Sequence, residues 1–143
     1  MKKIIIVLTA CVITASAFSR MPDPGYKVLE EFRKEFPSAG QVSWTEEEDL
    51  SRASFILGGK RIVAYFNREG ELEGSVRDLF YDQLPLTVMT AVEKRFQKPE
   101  VLYIREINNA EGTHYRIRLD AAVKKFMVRV GSDGNISDVD KVK

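Results

Sequence analysis

The stretch SRASFILGGKRIVAYFN, residues 51–67, decides the fold. In its second half, residues 61–67, every second side chain is apolar, and the side chains between them include polar ones. This alternation is typical of a strand with one buried face. Gly58-Gly59 separates the two arms, and paired glycines readily adopt the positive φ angles of a two-residue hairpin turn. The stretch therefore predicts an antiparallel hairpin formed by strands 51–57 and 61–67.

The segments around this hairpin extend the pattern. Residues 26–36 place apolar side chains three and four residues apart and predict a helix, which Pro37 ends. Residues 41–45 and 71–77 are predicted strands on either side of the hairpin. On the strand 71–77 we expect Leu72 and Val76 on the apolar face, and Glu71, Glu73, Ser75 and Arg77 on the polar face.

The same order of elements then recurs. Leu84-Pro85 opens a second amphipathic helix, and proline is tolerated in a first helical turn. The four predicted strands that follow are 101–107, 113–119, 124–130 and 135–139. We predict one α+β domain over 26–143, a tandem repeat of helix plus four antiparallel strands (26–82 and 83–143). It has one long antiparallel sheet with both helices packed on one face.

The first 17 residues have the features of an export signal. Met1-Lys2-Lys3 is a basic start, an apolar run covers 4–13, and Ala15-Ser16-Ala17 is a small-residue cleavage site. We expect a signal peptide at 1–17, cleavage after Ala17, an extended lead-in at 18–25 and a periplasmic or secreted protein. Lipidation at Cys11 in a lipobox-like context is the alternative, giving a lipid anchor. Neither reading leaves a transmembrane span in the mature chain.

Composition and charge exclude several function classes. The 143 residues carry a formal net charge of +1, which argues against a nucleic-acid-binding protein. One Cys and one His exclude an intrachain disulfide framework and any site that needs two imidazoles. The charge is uneven, because residues 18–82 hold 9 basic and 13 acidic side chains and residues 83–143 hold 11 and 8.

No catalytic, cofactor or metal site is predicted. His114 lacks a recognisable nucleophile or orienting partner, and neither a Gly-x-Ser-x-Gly motif nor a glycine-rich phosphate loop is present. The acidic run Glu46–Asp49 lacks the alternating spacing of a calcium loop and is read as a solvated turn. Asp133-Gly134 is read as a hairpin turn. We therefore expect a protein that is not an enzyme.

The predicted sheet carries the candidate binding surface. Basic side chains alternate along the strands of the second half, so they can gather on the sheet face away from the helices. Such a face, edged by aromatic residues, could dock an acidic partner. The candidate partner-binding residues are Arg105, Arg116, Arg118, Lys125, Arg129 and Tyr103, and the further aromatic residues of interest are Trp44, Tyr65, Tyr81 and Tyr115.

These motifs resemble a known family. Phe36-Pro37, the strand around Trp44, Ala64–Asn67 with Glu69–Leu72, and Leu84-Pro85 resemble the PepSY-like exported proteins of Bacteroidetes, over about residues 26–140. That family is similar in architecture to the β-lactamase-inhibitor-protein fold. The resemblance implies a periplasmic or surface location and a non-enzymatic role. The inhibitor itself is disulfide-bonded, which a chain that loses Cys11 cannot be.

The sequence therefore favours an exported, non-catalytic binding module for an envelope protein or peptide, with no cofactor. Two alternatives stay open. An inhibitor of a secreted or periplasmic hydrolase, a protease or β-lactamase, would use a protruding turn such as Glu46–Asp49 or Asn108–Gly112. A small-ligand carrier would need a sizeable apolar cavity between the helices and the sheet.

Overall fold

A computed structural model describes residues 23–142. The helices and strands are α1 (Tyr26–Glu35), β1 (Gly40–Glu47), β2 (Leu50–Leu57), β3 (Lys60–Phe66), β4 (Leu72–Leu79), α2 (Leu86–Phe96), β5 (Glu100–Asn109), β6 (Gly112–Ala121), β7 (Lys124–Gly131) and β8 (Ile136–Val142). The eight strands form one antiparallel sheet in which every strand pairs with its sequence neighbours. A 3₁₀ turn at Tyr81–Gln83 precedes α2.

The predicted hairpin between residues 51–57 and 61–67 forms in the structure. Phe55 pairs with Ile62, and Leu57 pairs with Lys60. Gly58 and Gly59 have φ angles of 57° and 76°, which are left-handed values that match a turn of the I′ type. Such a turn has the twist of the flanking strands and fixes their register.

The first helix covers the first half of the sheet. Val28 and Phe32 of α1 lie in a buried cluster with Ala53, Phe55 and Phe66. The Phe32 and Phe55 rings meet edge to face, with their centroids 5.1 Å apart. Edge-to-face contact is the favourable geometry for aromatic pairs, so this contact holds α1 on the sheet.

The second helix covers the second half. Val88 and Val92 of α2 are fully buried in a separate cluster with Ile104, Ile117 and Val128. Directly paired residues of an antiparallel sheet lie on the same face, and one row of pairs connects the two halves: Ala53, Ala64, Ser75, Asn108 and Thr113. Both helices therefore pack on one face, and the predicted fold class is confirmed.

The turns that end β3 and β7 each touch a helix. A Cβ atom on Gly70 would lie 2.9 Å from the Lys27 carbonyl oxygen of α1, and one on Gly134 would lie 2.8 Å from that of Thr87 on α2. The Thr87 hydroxyl also donates to the Ser132 carbonyl at 2.9 Å. Glycine lets each turn approach the backbone of the helix above it.

The predicted faces of β4 are wrong. Val76 pairs with Val63 on the face without helices, whereas Arg77 pairs with Glu106 on the helix face. An irregularity between Tyr65 and Phe66 of β3 shifts the pairing, so that Leu72 lies on the face opposite Val76. Because β4 lies between the two apolar clusters, the helix face accepts a polar pair here.

That pair is Arg77 and Glu106. The Arg77 Nε donates to one Glu106 carboxylate oxygen at 2.7 Å and Nη2 donates to the other at 3.2 Å. The Glu106 side chain is only 10% exposed. Burial alone raises the pKa of this carboxyl, but the bonds and the charge of Arg77, helped by Asn108, outweigh burial and hold the pKa below its usual value.

Candidate binding face of the sheet

The face of the sheet opposite the helices, here called the open face, carries the candidate residues. In β5, β6 and β7 the buried neighbours Ile104, Ile117 and Val128 point toward α2. Successive side chains of a strand point to opposite faces. Residues next to these three along the strands therefore lie on the open face, as the alternation of basic residues predicts.

Three arginines form a straight row across the open face. Arg105 on β5 pairs with Arg116 on β6, and Arg116 pairs with Arg129 on β7. Directly opposite side chains have their Cβ atoms about 5 Å apart. Asp78 on β4 pairs with Arg105, and Asp138 on β8 pairs with Arg129. This arginine row, Arg105, Arg116 and Arg129, is therefore closed by an acidic residue at each end.

The Asp78 end of the row is hydrogen-bonded. Arg105 Nε donates to Asp78 Oδ1 at 3.0 Å, and the Tyr103 hydroxyl donates to the same oxygen at 2.7 Å. The Arg105 guanidinium also lies over the Tyr103 ring, 5.1 Å from its centroid. Burial raises the pKa of Asp78, but these two donors outweigh it and hold the pKa low. Burial and Asp78 together raise the pKa of Tyr103.

The rest of the row is less constrained. Arg129 Nη2 lies 2.7 Å from Glu111 Oε2, and the two side chains are 41% and 69% exposed. Ion pairs this exposed contribute little to stability and exchange readily. Arg116 is exposed and forms no ion pair or side-chain hydrogen bond with any residue in 23–142. The centre of the row is thus available to a ligand.

The other two predicted basic residues differ from each other. Arg118 pairs with Tyr103 and Met127 beside the arginine row, and its Nε is buried without a hydrogen-bond partner in the described part of the chain. Lys125 pairs with Asp120 and lies four residues from Arg129 along β7, which is about 13 Å in a strand. The structure therefore brings together five of the six predicted residues and leaves Lys125 apart.

A groove runs across the strands next to the arginine row. Its apolar floor follows the paired positions Val63, Val76 and Ile107. The main part holds about 570 Å³ between β2 and β7, and a second part of about 260 Å³ continues over β8. Besides these three residues, the lining of the main part includes Arg52, Ser54, Arg61, Tyr65, Asp78, Tyr103, Arg105, Arg116 and Met127.

His114 completes the groove floor. It pairs with Ile107 on β5 and lines the part of the groove that reaches β8. Burial lowers its pKa first, and the positive charges of Arg129 and Arg116 lower it further, against an opposing effect of Glu111. The imidazole is therefore mainly neutral at pH 7, and it adds an uncharged surface beside the row.

The four further aromatic residues that the sequence singled out lie either in the core or in the groove. Trp44 packs in the α1 cluster, and Tyr115 is only 4% exposed in the α2 cluster. Tyr81 packs against the α2 cluster and its hydroxyl donates to Glu93 at 2.9 Å. Tyr65 alone joins Tyr103 in the groove. Strand alternation could have separated Trp44 and Tyr115 from the open face, but only with the register known.

Sequence reasoning missed Asp78, Val76 and Met127. Asp78 accepts hydrogen bonds from both Arg105 and Tyr103, and Val76 and Met127 add apolar lining to the groove on opposite sides of the arginine row. The signal for Asp78 was its position at the end of β4, but only the pairing of β4 with β5 shows what it contacts.

The arrangement is suited to holding anionic and apolar groups together. No group of three His, Cys, Asp or Glu side chains within 23–142 is placed to hold a metal ion. Among the described helices, none combines the length and the apolar character needed to span a bilayer. The predicted signal peptide, its cleavage site and Cys11 lie outside the described residues.

Solved structures share this architecture. The fold matches a DUF2874 family protein from Bacteroides ovatus with a TM-score of 0.75 and 20% identity, covering 84% of this chain and 89% of that one. It matches a BLIP-like protein from Bacteroides fragilis with a TM-score of 0.75 and 17% identity, covering 85% and 88%. A Bacteroides eggerthii structure described as "putative periplasmic proteins" matches with a TM-score of 0.72 and 17% identity, covering 84% and 90%.

These likenesses define the class of fold. The chain has the BLIP-like fold, which confirms that part of the resemblance drawn from the sequence. No protein-family model and no curated protein matches the chain. The PepSY-like relationship therefore stays a prediction.

Proposed function

We propose that this chain is an exported, non-catalytic binding module that holds an acidic segment of an envelope protein on its open face. The observation that carries the proposal is the pairing of Arg105, Arg116 and Arg129 on three neighbouring strands. Directly opposed like charges destabilise a sheet. The fold places three of them in line and leaves the central one, Arg116, without a counterion among residues 23–142, a positive charge that an anionic partner would neutralise.

The groove beside the row supports a protein partner over a small anion. Ile107 lies beside Arg105 on β5, and Val76 and Val63 continue an apolar strip from it over β4 and β3. Protein interfaces combine such apolar contacts with arginine and tyrosine anchors. Export rests on the sequence pattern at 1–17, and the description of the Bacteroides eggerthii structure is compatible with it.

The two alternatives are less well supported. The turns proposed for insertion into a hydrolase are two-residue connections, Glu48-Asp49 and Ala110-Glu111, and neither forms a long loop. The BLIP-like fold is what keeps inhibition as a second candidate. A ligand carrier would need space between α2 and the sheet, where Val88, Ile117 and Leu119 are fully buried in one apolar cluster.

Affinity capture from an envelope extract tests the proposal. The bait is the mature chain, compared with the triple variant R116E/R118E/R129E and with R95E, which reverses one charge at an exposed position of α2. We expect at least one acidic protein to bind wild type and R95E and to be lost with the triple variant. Recovery of every protein by all three baits would contradict the proposal. Circular dichroism must show that the variants are folded.

The inhibitor alternative has its own assay. Envelope proteases and β-lactamases are incubated with the purified chain, and their rates of substrate hydrolysis are measured. Inhibition that survives the triple variant would favour a turn over the open face. Unchanged rates across the panel would leave the binding module as the better account.

A further inference from the structure

The spacing of the arginine row restricts the shape of its partner. From the geometry of the row we infer that the acidic segment bound on the open face is an α-helix lying across the strands, with carboxylates one helical turn apart. This inference rests on the proposed function and specifies the partner of the same surface.

The repeat distance is the first argument. Neighbouring strands are about 4.8 Å apart, so Arg105 and Arg129 lie about 9.6 Å apart across β5, β6 and β7. On a helix, residues i and i+7 are separated by about 10.5 Å along the axis, with a residue of the same face between them at i+3 or i+4. Three glutamates on one helix face therefore match three arginines.

An extended segment matches less well. Residues on one side of a strand repeat every 6.7 Å or so, and three of them span about 13 Å. Only two of its carboxylates would lie opposite the arginine row without displacement of the side chains. Pairing of an extended segment with the edge strand β1 or β8 would not engage the row centre at Arg116.

The ends of the row give the second argument. Asp78 lies beyond Arg105, and Asp138 lies beyond Arg129. Along the row, one negative charge is therefore followed by three positive charges and a second negative charge. Like charges that are brought together oppose binding, so the matching helix face carries three acidic residues between two basic ones.

The groove floor gives the third argument. Ile107 and Arg105 are two residues apart on β5, a distance of about 7 Å, and from Ile107 the groove floor continues to Val76 on β4 and, in the other direction, to His114 on β6. An amphipathic helix presents an apolar stripe next to an acidic one. A helix in this position can place apolar side chains on Val76 and Ile107 while its carboxylates reach the row.

Three labelled peptides of identical composition test the inference. The first peptide has the order Lys, Glu, Glu, Glu, Lys at helical spacing beside a leucine stripe. The second has its Glu residues at alternate positions. The third is the first sequence with its terminal proline exchanged for a non-contacting central alanine, so that the proline interrupts the helix. Dissociation constants are measured by fluorescence anisotropy with wild type, R116E and R95E. Circular dichroism at 222 nm reports helix formation in the mixtures.

We expect the first peptide to bind wild type at least tenfold more tightly than the other two and to gain helicity on binding. R116E should weaken its binding by about 30-fold or more, and R95E should leave it unchanged. Equal or tighter binding of the alternating peptide, still weakened by R116E, would overturn the helix inference and leave the proposed function intact. Affinities that R116E does not change, or no binding of any peptide, would contradict both.

Discussion

Arg105 on β5 lies directly opposite Arg116 on β6, and both side chains are on the face of the sheet that the helices leave open. Arg105 has a counterion, because its Nε lies 3.0 Å from Asp78 Oδ1. Arg116 has none among residues 23–142. It lies between Arg105 and Arg129, so it experiences repulsion from both sides. The positive charge at the centre of the row therefore destabilises the folded state.

Removal of that charge should stabilise the protein. Opposed like charges in a sheet cost roughly 0.2–1 kcal/mol, so R116Q should raise the melting temperature by about 1–4 °C at low salt. The effect should shrink at 1 M NaCl, where exposed charges are screened. Differential scanning calorimetry of wild type, R116Q and the control R95Q checks this. A lower melting temperature for R116Q would show that Arg116 stabilises the sheet.

The partly buried ion pair of Arg77 and Glu106 should make the free energy of unfolding depend on pH. The pKa of Glu106 is lower in the folded chain than in the unfolded one, so its contribution is present above its ordinary pKa and is lost as the pH falls through the folded value. At pH 7, E106Q should lower the free energy of unfolding by about 1–3 kcal/mol. The difference between E106Q and wild type should decrease below pH 4.5 or so.

E111Q is the matched control for that experiment. Glu111 also pairs with an arginine, but its side chain is 69% exposed, so its loss should cost less than about 1 kcal/mol. Urea titrations at pH 7 and pH 3.5 give the free energies. Equal losses for E106Q and E111Q at pH 7 would mean that burial of the Arg77–Glu106 pair has no energetic role.

The contact between the last hairpin and α2 should depend on glycine. In G134A the new Cβ would lie 2.8 Å from the Thr87 carbonyl oxygen, so we expect destabilisation of about 2–4 kcal/mol from contact and backbone strain. Gly112 also has a positive φ, 100°, but nothing lies within 4 Å of its added Cβ. G112A should therefore show the strain alone, about 1–2 kcal/mol. Equal destabilisation of both variants in thermal melts would exclude the contact.

Much of the fold follows from the sequence. Alternation of side chains and the Gly58-Gly59 turn predict the strands, because the burial of one face and the positive φ of a turn are local requirements. The faces of β4 could not be predicted, since the shifted pairing near Phe66 and the gap between the two apolar clusters depend on tertiary packing. Arg77 therefore lies on the helix face despite its charge.

Only part of the candidate binding site could be predicted from the sequence. Alternation predicts that Arg116 and Arg129 share a face, but their direct pairing depends on the two-residue turn between β6 and β7. Asp78 illustrates the limit, because its bonds to Tyr103 and Arg105 join residues 25 and 27 positions apart in the chain. Contacts between distant segments need the register of every strand between them.

The most direct test of the account is the affinity of one acidic helical peptide for wild type and R116Q, measured by fluorescence anisotropy at 50 mM NaCl. Loss of one charged partner in an interface ion pair costs 2 kcal/mol or more, so we predict binding to R116Q that is weaker by roughly 30-fold, in a variant that is at least as stable as wild type. Unchanged affinity for R116Q would contradict the claim that the arginine row is the binding surface.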